Sequence, residues 1–281
     1  GRTPELIDQV HEGTVDIVWT AAAYTPNSFP HTEVFTLPSV HGGDPAATNQ
    51  AMMSMITGAL HADFQAVKPL LAHVQAGHSL HMSSKPVTRV SDLDGLTLRP
   101  AGRRIGMWML DALGAKPSRK RHPKLSTALA DDKLDGALMS FQLAQSLDVI
   151  ESVTSHTLRG ENSYFGTSIY LFLMNQASYD RLPADLQAVI DRNAGMGLAR
   201  QAGAVWQRAE QEAISAAHNH GNAINTFDEE QQRIVDRLAI DIERRWSATV
   251  QKYGIDGPHL ITQAREAVAR HSTSLSQPSP H

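Results

Sequence analysis

The chain contains the same helix-then-strand arrangement twice, and this repeat constrains its fold more than any other feature. The first copy is TPELIDQVHEGTVDIVWT (residues 3–20) and the second is HPKLSTALADDKLDGALMS (residues 122–140). Aligned without a gap, each copy has a proline at the helix start and an apolar residue followed by aspartate at the strand start. Because helix-then-strand is a common pattern, a chance match is the alternative. We favour two equivalent α/β units.

Further strand patterns alternate with helical ones along the rest of the chain. Residues 15–20 form a short apolar run rich in β-branched side chains, which predicts a strand buried on both faces, as in a parallel sheet. LDGLTLRP (93–100) and TSIYLFLMN (167–175) predict two more strands, and residues 183–221 predict one very long helix. This alternation indicates the α/β class, in which ligands bind at the carboxyl ends of strands.

Composition excludes several functional classes. The 281 residues are 41% hydrophobic and 19% charged, which is typical of a globular protein with enough length for two lobes. The net charge of -4 shows no basic excess, so we expect no nucleic-acid partner. The chain has no cysteine, which rules out disulfides and thiolate chemistry and suits an oxidising compartment. No apolar run is long enough to span a bilayer.

One arginine stands at an unusual place. In DLDGLTLRPAGRR (92–104), Arg99 ends a short apolar strand and Pro100 stops it. A guanidinium group offers a rigid two-pronged donor that fits a carboxylate, and a buried arginine without an anion is unfavourable. Arg99 therefore predicts either a bound carboxylate ligand or an internal ion pair with an acidic side chain.

Several segments in order resemble a known family. They are residues 3–20, FPHTEVFTLPSV (29–40), DLDGLTLRP (92–100), LDGAL (134–138) and MNQASYDRLPADLQAVIDRNAG (174–195). Together they resemble the solute-binding proteins of TRAP (tripartite ATP-independent periplasmic) transporters, over nearly the whole chain. The family's opening β-α-β unit, which precedes the first segment, is not present, and we interpret this as truncation.

The resemblance implies a fold. It is the two-lobed α/β periplasmic binding protein fold, with mixed sheets flanked by helices and a long helix that spans both lobes. The expected division places residues 1–76 and 168–205 in lobe one, and residues 77–167 and 206–270 in lobe two. The polar tail, residues 271–281, is expected to be disordered.

The resemblance also implies a function. Such a protein is periplasmic and not an enzyme, and it needs no cofactor. It closes on a small organic acid, binds the carboxylate through the arginine that matches Arg99, and delivers the acid to the permease subunits in the membrane. The apolar and aromatic residues near the expected cleft favour an apolar or aromatic monocarboxylate, such as a 2-oxo or 2-hydroxy acid. The sequence leaves open whether a metal bridges the ligand, and it predicts no metal site.

The candidate ligand-binding residues follow or precede predicted strands. They are Arg99, Trp19, Tyr24, His78, Met139, Phe141, Tyr164 and Phe165. Trp19 and Tyr24 lie at and just after the strand of the first repeat unit, and Met139 and Phe141 occupy the matching place in the second. Core packing is the alternative role for Trp19, Met139 and Phe141.

Two other functions compete with transport. A ligand-sensing domain of a regulatory protein would share the fold, but no DNA-binding segment is visible. A histidine-dependent hydrolase would use GHSLH (77–81), which lacks the second glycine of a nucleophile elbow. SRKRHPKLS (118–126) departs from the family pattern, and we interpret its basic residues as a solvated loop; attraction of anionic ligands is the alternative.

Overall fold

A computed structural model describes residues 5–25, 27–119, 124–161 and 163–275. The strands are β1 Ile17–Ala21, β2 Val67–Val74, β3 Ser79–Met82, β4 Thr97–Arg99, β5 Lys116–Pro117, β6 Gly136–Met139, β7 Ser155–Leu158, β8 Ile169–Asn175 and β9 Ala223–Thr226. The α-helices are α1 Leu6–Glu12, α2 Pro45–Met55, α3 Ile105–Ala112, α4 Leu125–Ala130, α5 Phe141–Ser146, α6 Gln176–Asp180, α7 Ala184–Arg192, α8 Met196–His220, α9 Glu229–Val250 and α10 Gly257–Leu275. Strands and helices alternate, so the predicted α/β class is confirmed.

The strands form two sheets, and the smaller one corrects a prediction. Its order is β1-β8-β2, and both pairings are antiparallel. Strand β1 is not buried on both faces, since Ile17 and Trp19 are 45% and 52% exposed. The apolar run suggested a central parallel strand, whereas within the described residues β1 lies at the edge of the sheet and pairs only with β8.

The larger sheet is mixed, with the order β5-β4-β6-β3-β7-β9. Strand β4 runs parallel to β5 and β6, while β3 runs antiparallel to β6 and β7. Both helix–strand units of the sequence repeat are formed, one ending in β1 and the other in β6. The two copies therefore belong to different sheets. The second copy places Met139 directly opposite Ser79, at the strand ends next to Arg99.

Two neighbouring segments, residues 75–78 and 165–168, join the two sheets and are called the crossover segments below. The backbone N–H of Gln75 donates to the Ser168 carbonyl at 3.1 Å, and that of His78 donates to the Gly166 carbonyl at 2.8 Å. The Thr167 hydroxyl donates to the Gln75 carbonyl at 2.8 Å. These bonds hold the two connections side by side between the sheets.

The single helix expected over residues 183–221 is two helices, α7 and α8. The chain turns at Gly195, whose φ of +76° favours glycine and whose N–H donates to the Leu70 carbonyl. The remaining helix α8 still has 25 residues and ends at Gly221 as expected. Its first half packs on α2, where Asn49 donates to the Ala199 carbonyl, and its second half packs on α5. It therefore contacts helices that accompany both sheets.

The C-terminal region differs from expectation. Helix α10 runs to Leu275, so the first residues of the tail that was expected to be disordered are helical. The rest of that tail and the two prolines predicted at the helix starts, Pro4 and Pro123, lie outside the described residues. Helix α10 packs on α2, beside the smaller sheet, although the expected division placed it in lobe two. None of the described helices combines the length and apolar character that crossing a membrane requires.

Candidate functional site

Arg99 ends β4, and Pro100 follows it directly. Burial lowers the pKa of its guanidinium, while the nearby phenol groups of Tyr24 and Tyr170 act in the opposite direction. Arginine nevertheless remains charged in proteins. Within the described residues Arg99 forms no ion pair and no side-chain hydrogen bond. The internal ion pair that the sequence left open is therefore not found there, and the guanidinium is available to an anion.

His78 lies beside Arg99 as a neutral group. Its ring Nε2 is 3.0 Å from the Ser168 hydroxyl oxygen, and its backbone is held by the crossover segment 165–168. Burial, together with the positive charge of Arg99, lowers the pKa of His78 to about 3. The imidazole thus supplies hydrogen-bonding capacity without adding a second positive charge.

A group of parallel aromatic rings lies next to Arg99. Tyr170 of β8 stacks on Trp19 of β1, with ring centroids 5.1 Å apart. His73 and Trp206 extend the stack, at centroid distances of 5.4 Å and 6.1 Å from Tyr170. The Trp19 indole N–H donates to His73 Nε2 at 2.9 Å, which fixes the orientation of the indole. The stack provides flat apolar surface close to a cation.

A cavity opens beside this group, between the loop that follows β1 and the start of α3. The residues that line it include Ala22, Ala23, Thr25, Phe29, Glu33, His78, Gly102, Arg103, Arg104, Ile105, Phe165, Thr167 and Ser168. His78 lines the cavity, and the guanidinium charge of Arg99 contributes to the lowered pKa of its ring. The cavity is thus lined by the loop after β1, by the crossover segments and by the start of α3.

Two buried polar groups near the strand ends have unsatisfied hydrogen-bonding capacity. The Ser79 hydroxyl and the side-chain oxygen of Gln75 have no hydrogen-bond partner in the described parts of the chain. Ser79 begins β3 and Gln75 begins the crossover, so both lie near the His78 backbone. Buried polar groups normally have partners, and a polar ligand can provide them.

The structure places the other predicted site residues at different depths. Phe165 and His78 line the cavity. Tyr164 is not among the lining residues; its ring lies against the His41 ring and near Glu210. Met139 is 1% exposed and belongs to a core cluster beside β6. Phe141 is fully buried, and its ring contacts His81 and His156.

Sequence reasoning missed Tyr170, Trp206 and Glu33, and it interpreted Arg104 as an exposed arginine, whereas its side chain is 13% exposed. Tyr170 had a local signal, because it alternates with the core residues Ile169 and Leu171 in β8. The pairing of Glu33 with Arg104, 71 residues apart, had none.

The histidines around GHSLH do not assemble hydrolase chemistry. His81 Nδ1 is 2.7 Å from His156 Nδ1, in the core of the larger sheet. The Ser79 hydroxyl is not bonded to either histidine of the motif in the described structure. No group of three or more acidic or histidine side chains in the described ranges could hold a metal ion.

The chain is similar to known proteins of one family. Residues 1–243 match the family model for bacterial extracellular solute-binding proteins, family 7 (DctP). A curated "Solute-binding protein" of Verminephrobacter eiseniae (strain EF01-2) is 26% identical over 194 residues, which are 68% of this chain. The match spans 56% of that relative's length.

Solved structures resemble the chain over most of its length. A TRAP solute-binding protein from an unidentified marine microbe, specific for aromatic acid ligands, was crystallised with metahydroxyphenylacetate. It is 32% identical with a TM-score of 0.90, and the match covers 96% of this chain and 85% of that chain. A TRAP solute-binding protein from Rhodoferax ferrireducens T118, with copurified benzoate, is 31% identical with a TM-score of 0.90 and covers 98% and 86%.

These matches confirm the resemblance inferred from the sequence segments, and they concern solute-binding proteins of transport systems and not enzymes. The family model covers most of the chain, and the fold agrees closely with the solved structures. The chain belongs to family 7 of the bacterial extracellular solute-binding proteins, the solute-binding proteins of TRAP transporters.

Proposed function

We propose that this protein captures an aromatic or apolar monocarboxylate in the periplasm and delivers it to TRAP permease subunits. The carboxylate binds Arg99, and the ring or apolar body lies against aromatic side chains near it. The observation that carries this proposal is a half-buried arginine without an ion pair in the described residues, near Tyr24 and Tyr170. An anion of ligand origin supplies the missing countercharge.

The surroundings favour an aromatic acid over a sugar acid. A sugar acid needs many polar partners, whereas the rings of Trp19 and Tyr170 and the apolar side chains of Phe29, Phe165 and Ile105 offer few. The relatives with metahydroxyphenylacetate and benzoate, at 32% and 31% identity, point to the same ligand class. The unpartnered Ser79 hydroxyl suits a ligand oxygen, including the hydroxyl or keto group of a 2-substituted acid.

Capture requires movement between two lobes. We place lobe one around the smaller sheet and lobe two around the larger sheet, joined by residues 75–78 and 165–168 and bridged by α8. Hinge motion at these segments closes the cleft over the ligand. The closed form is then the form that the permease recognises.

Binding measurements with one charge-removing variant test the proposal. In isothermal titration calorimetry with benzoate and mandelate, Arg99→Met should weaken binding by about 100-fold, since hydrogen bonds to charged groups contribute roughly 1.5–3 kcal/mol each. Arg192→Met, which removes an exposed arginine of α7, is the charge-matched control and should bind as the wild type does.

The outcomes separate two kinds of error. Benzoate binding that survives Arg99→Met would show that the carboxylate contacts another group. A well-folded wild type that binds no aromatic, aliphatic, 2-oxo or 2-hydroxy acid would refute the proposed ligand class.

A further inference from the structure

We propose that Glu33 determines the charge selectivity of the ligand site: by neutralising Arg104, it restricts the site to ligands with one carboxylate. The proposal rests on the function proposed above, because it concerns the same cleft. It assigns a role to Glu33 and Arg104 that does not involve direct contact with a monocarboxylate ligand.

The ion pair between Glu33 and Arg104 is short and enclosed. Arg104 Nη1 donates to Glu33 Oε2 at 2.6 Å, and the two side chains are only 13% and 14% exposed. The Trp246 indole N–H donates to the same carboxylate oxygen at 3.1 Å. Arg104 Nη2 donates to the side-chain oxygen of Asn27 at 2.8 Å. Both prongs of the Arg104 guanidinium are therefore occupied by protein acceptors.

Both charged groups line the cavity beside His78. Glu33 lies in a 3₁₀ turn at residues 32–36, and Arg104 immediately precedes α3. His78 lines the same cavity and interacts electrostatically with Arg99. A ligand whose first carboxylate is on Arg99 would thus present a second acidic group toward Arg104.

The charges in and around the cleft should favour a ligand with one carboxylate over a ligand with two. Arg104 is neutralised by Glu33, and the buried Arg159 is paired with Asp236. Arg103 also lines the cavity, but it is exposed, so water screens its charge. Arg99 is the partly enclosed cation left to bind a carboxylate. A second ligand carboxylate would lie next to the Glu33 carboxylate, and like charges in such a place are repelled.

Removal of the Glu33 charge should weaken this selectivity. Glutamine keeps the shape of glutamate and an oxygen that can accept from Trp246, but it leaves the Arg104 charge uncompensated. A second carboxylate could then pair with Arg104 in the bidentate geometry that guanidinium groups favour. Arg104 would become a second carboxylate site in the same cleft.

The test measures the affinities for benzoate and for isophthalate, which adds one carboxylate to the same ring. The wild type should bind benzoate in preference to isophthalate. Glu33→Gln should lower the ratio of benzoate to isophthalate affinity by about tenfold or more. The double variant Glu33→Gln with Arg104→Gln should restore the wild-type ratio, because no extra cation then remains.

A single Arg104→Gln variant provides an independent measurement if Glu33→Gln folds poorly. It leaves Glu33 as an unpaired anion, so the ratio should rise above that of the wild type. An isophthalate affinity equal to that of benzoate in the wild type, or a ratio unchanged in both single variants, would overturn the proposal. In a further outcome, Arg99→Met abolishes benzoate binding while Glu33→Gln leaves the ratio of benzoate to isophthalate affinity unchanged. That result would support the proposed function and refute this inference alone.

Discussion

At the residue scale, a chain of hydrogen bonds determines the protonation of two buried histidines. The Met139 carbonyl can only accept, so the proton of His81 must be on Nε2, 3.0 Å away. His81 Nδ1 is then an acceptor, and His156 Nδ1 donates to it at 2.7 Å. His156 Nε2 consequently accepts from the Asn222 amide at 3.0 Å. Both imidazoles are neutral, and a further proton on either would break this chain.

These two histidines should make the protein sensitive to acid. Burial lowers the pKa of His81 to about 3 and that of His156 to about 4. The unfolded chain, with histidine pKa values near 6.5, binds protons that the folded state cannot bind. The free energy of unfolding should therefore fall as the pH drops from about 6.5 to about 4, by about 1.4 kcal/mol per pH unit for each histidine. Urea titrations across this pH range measure the slope.

Two variants identify the groups behind that slope. His156→Gln should lower the slope by about 1.4 kcal/mol per pH unit, the contribution of one proton, because one acid-sensitive group is gone. Glu210 acts in the opposite direction: burial raises its pKa to about 7, so the folded state retains a proton that the unfolded chain releases above about 4.5. Glu210→Gln should make the slope steeper. A slope that neither variant changes would contradict the assignment.

At the element scale, close packing of α8 on α2 depends on one small residue. A Cβ atom added to Gly203 would lie 2.3 Å from the Ala46 Cα, which is backbone and cannot move aside easily. The other end of the contact is fixed by the side-chain amide of Asn49, which donates to the Ala199 carbonyl and accepts from the Val74 N–H. The spanning helix is thus held against both α2 and β2.

Alanine substitutions at two glycines of α8 should have opposite effects. Gly203→Ala should lower the free energy of unfolding by about 1–3 kcal/mol, because the helices must separate. Gly197→Ala is the matched control on the same helix, where nothing lies within 4 Å of an added Cβ. It should raise stability by up to about 1 kcal/mol, since alanine favours helix. Chemical denaturation measures both, and equal effects would argue against the packing described here.

At the scale of the whole molecule, the two crossover segments and α8 connect the regions around the two sheets. Ligand binding should bring these regions closer together. If the carboxylate binds Arg99 of the larger sheet and the ring lies on the aromatic side chains of the smaller sheet, as proposed, closure adds contacts that the open form lacks. Benzoate should therefore reduce the radius of gyration measured by small-angle X-ray scattering. Arg99→Met should show no change at the same benzoate concentration. A wild-type radius that stays constant at saturating benzoate would contradict hinge closure.

The sequence by itself determined the α/β class, the repeated helix–strand unit and the position of Arg99 at a strand end. Each of these follows from local information: periodicity of apolar residues, proline and glycine at element ends, and a charge after an apolar run. The matched segments 92–100 and 174–195 were also enough to indicate the family that the comparisons confirm.

Only the tertiary structure decided the neighbours of Arg99 and the charge balance of the cleft. Tyr170 stacks on Trp19 because β8 pairs with β1, and Glu33 reaches Arg104 because a turn of one segment packs against the start of a distant helix. The edge position of β1 likewise depends on which strands pair, not on its own apolar pattern. Local patterns specify which face of an element is apolar, but contacts between residues far apart in the chain arise from packing of whole elements, which no short segment encodes.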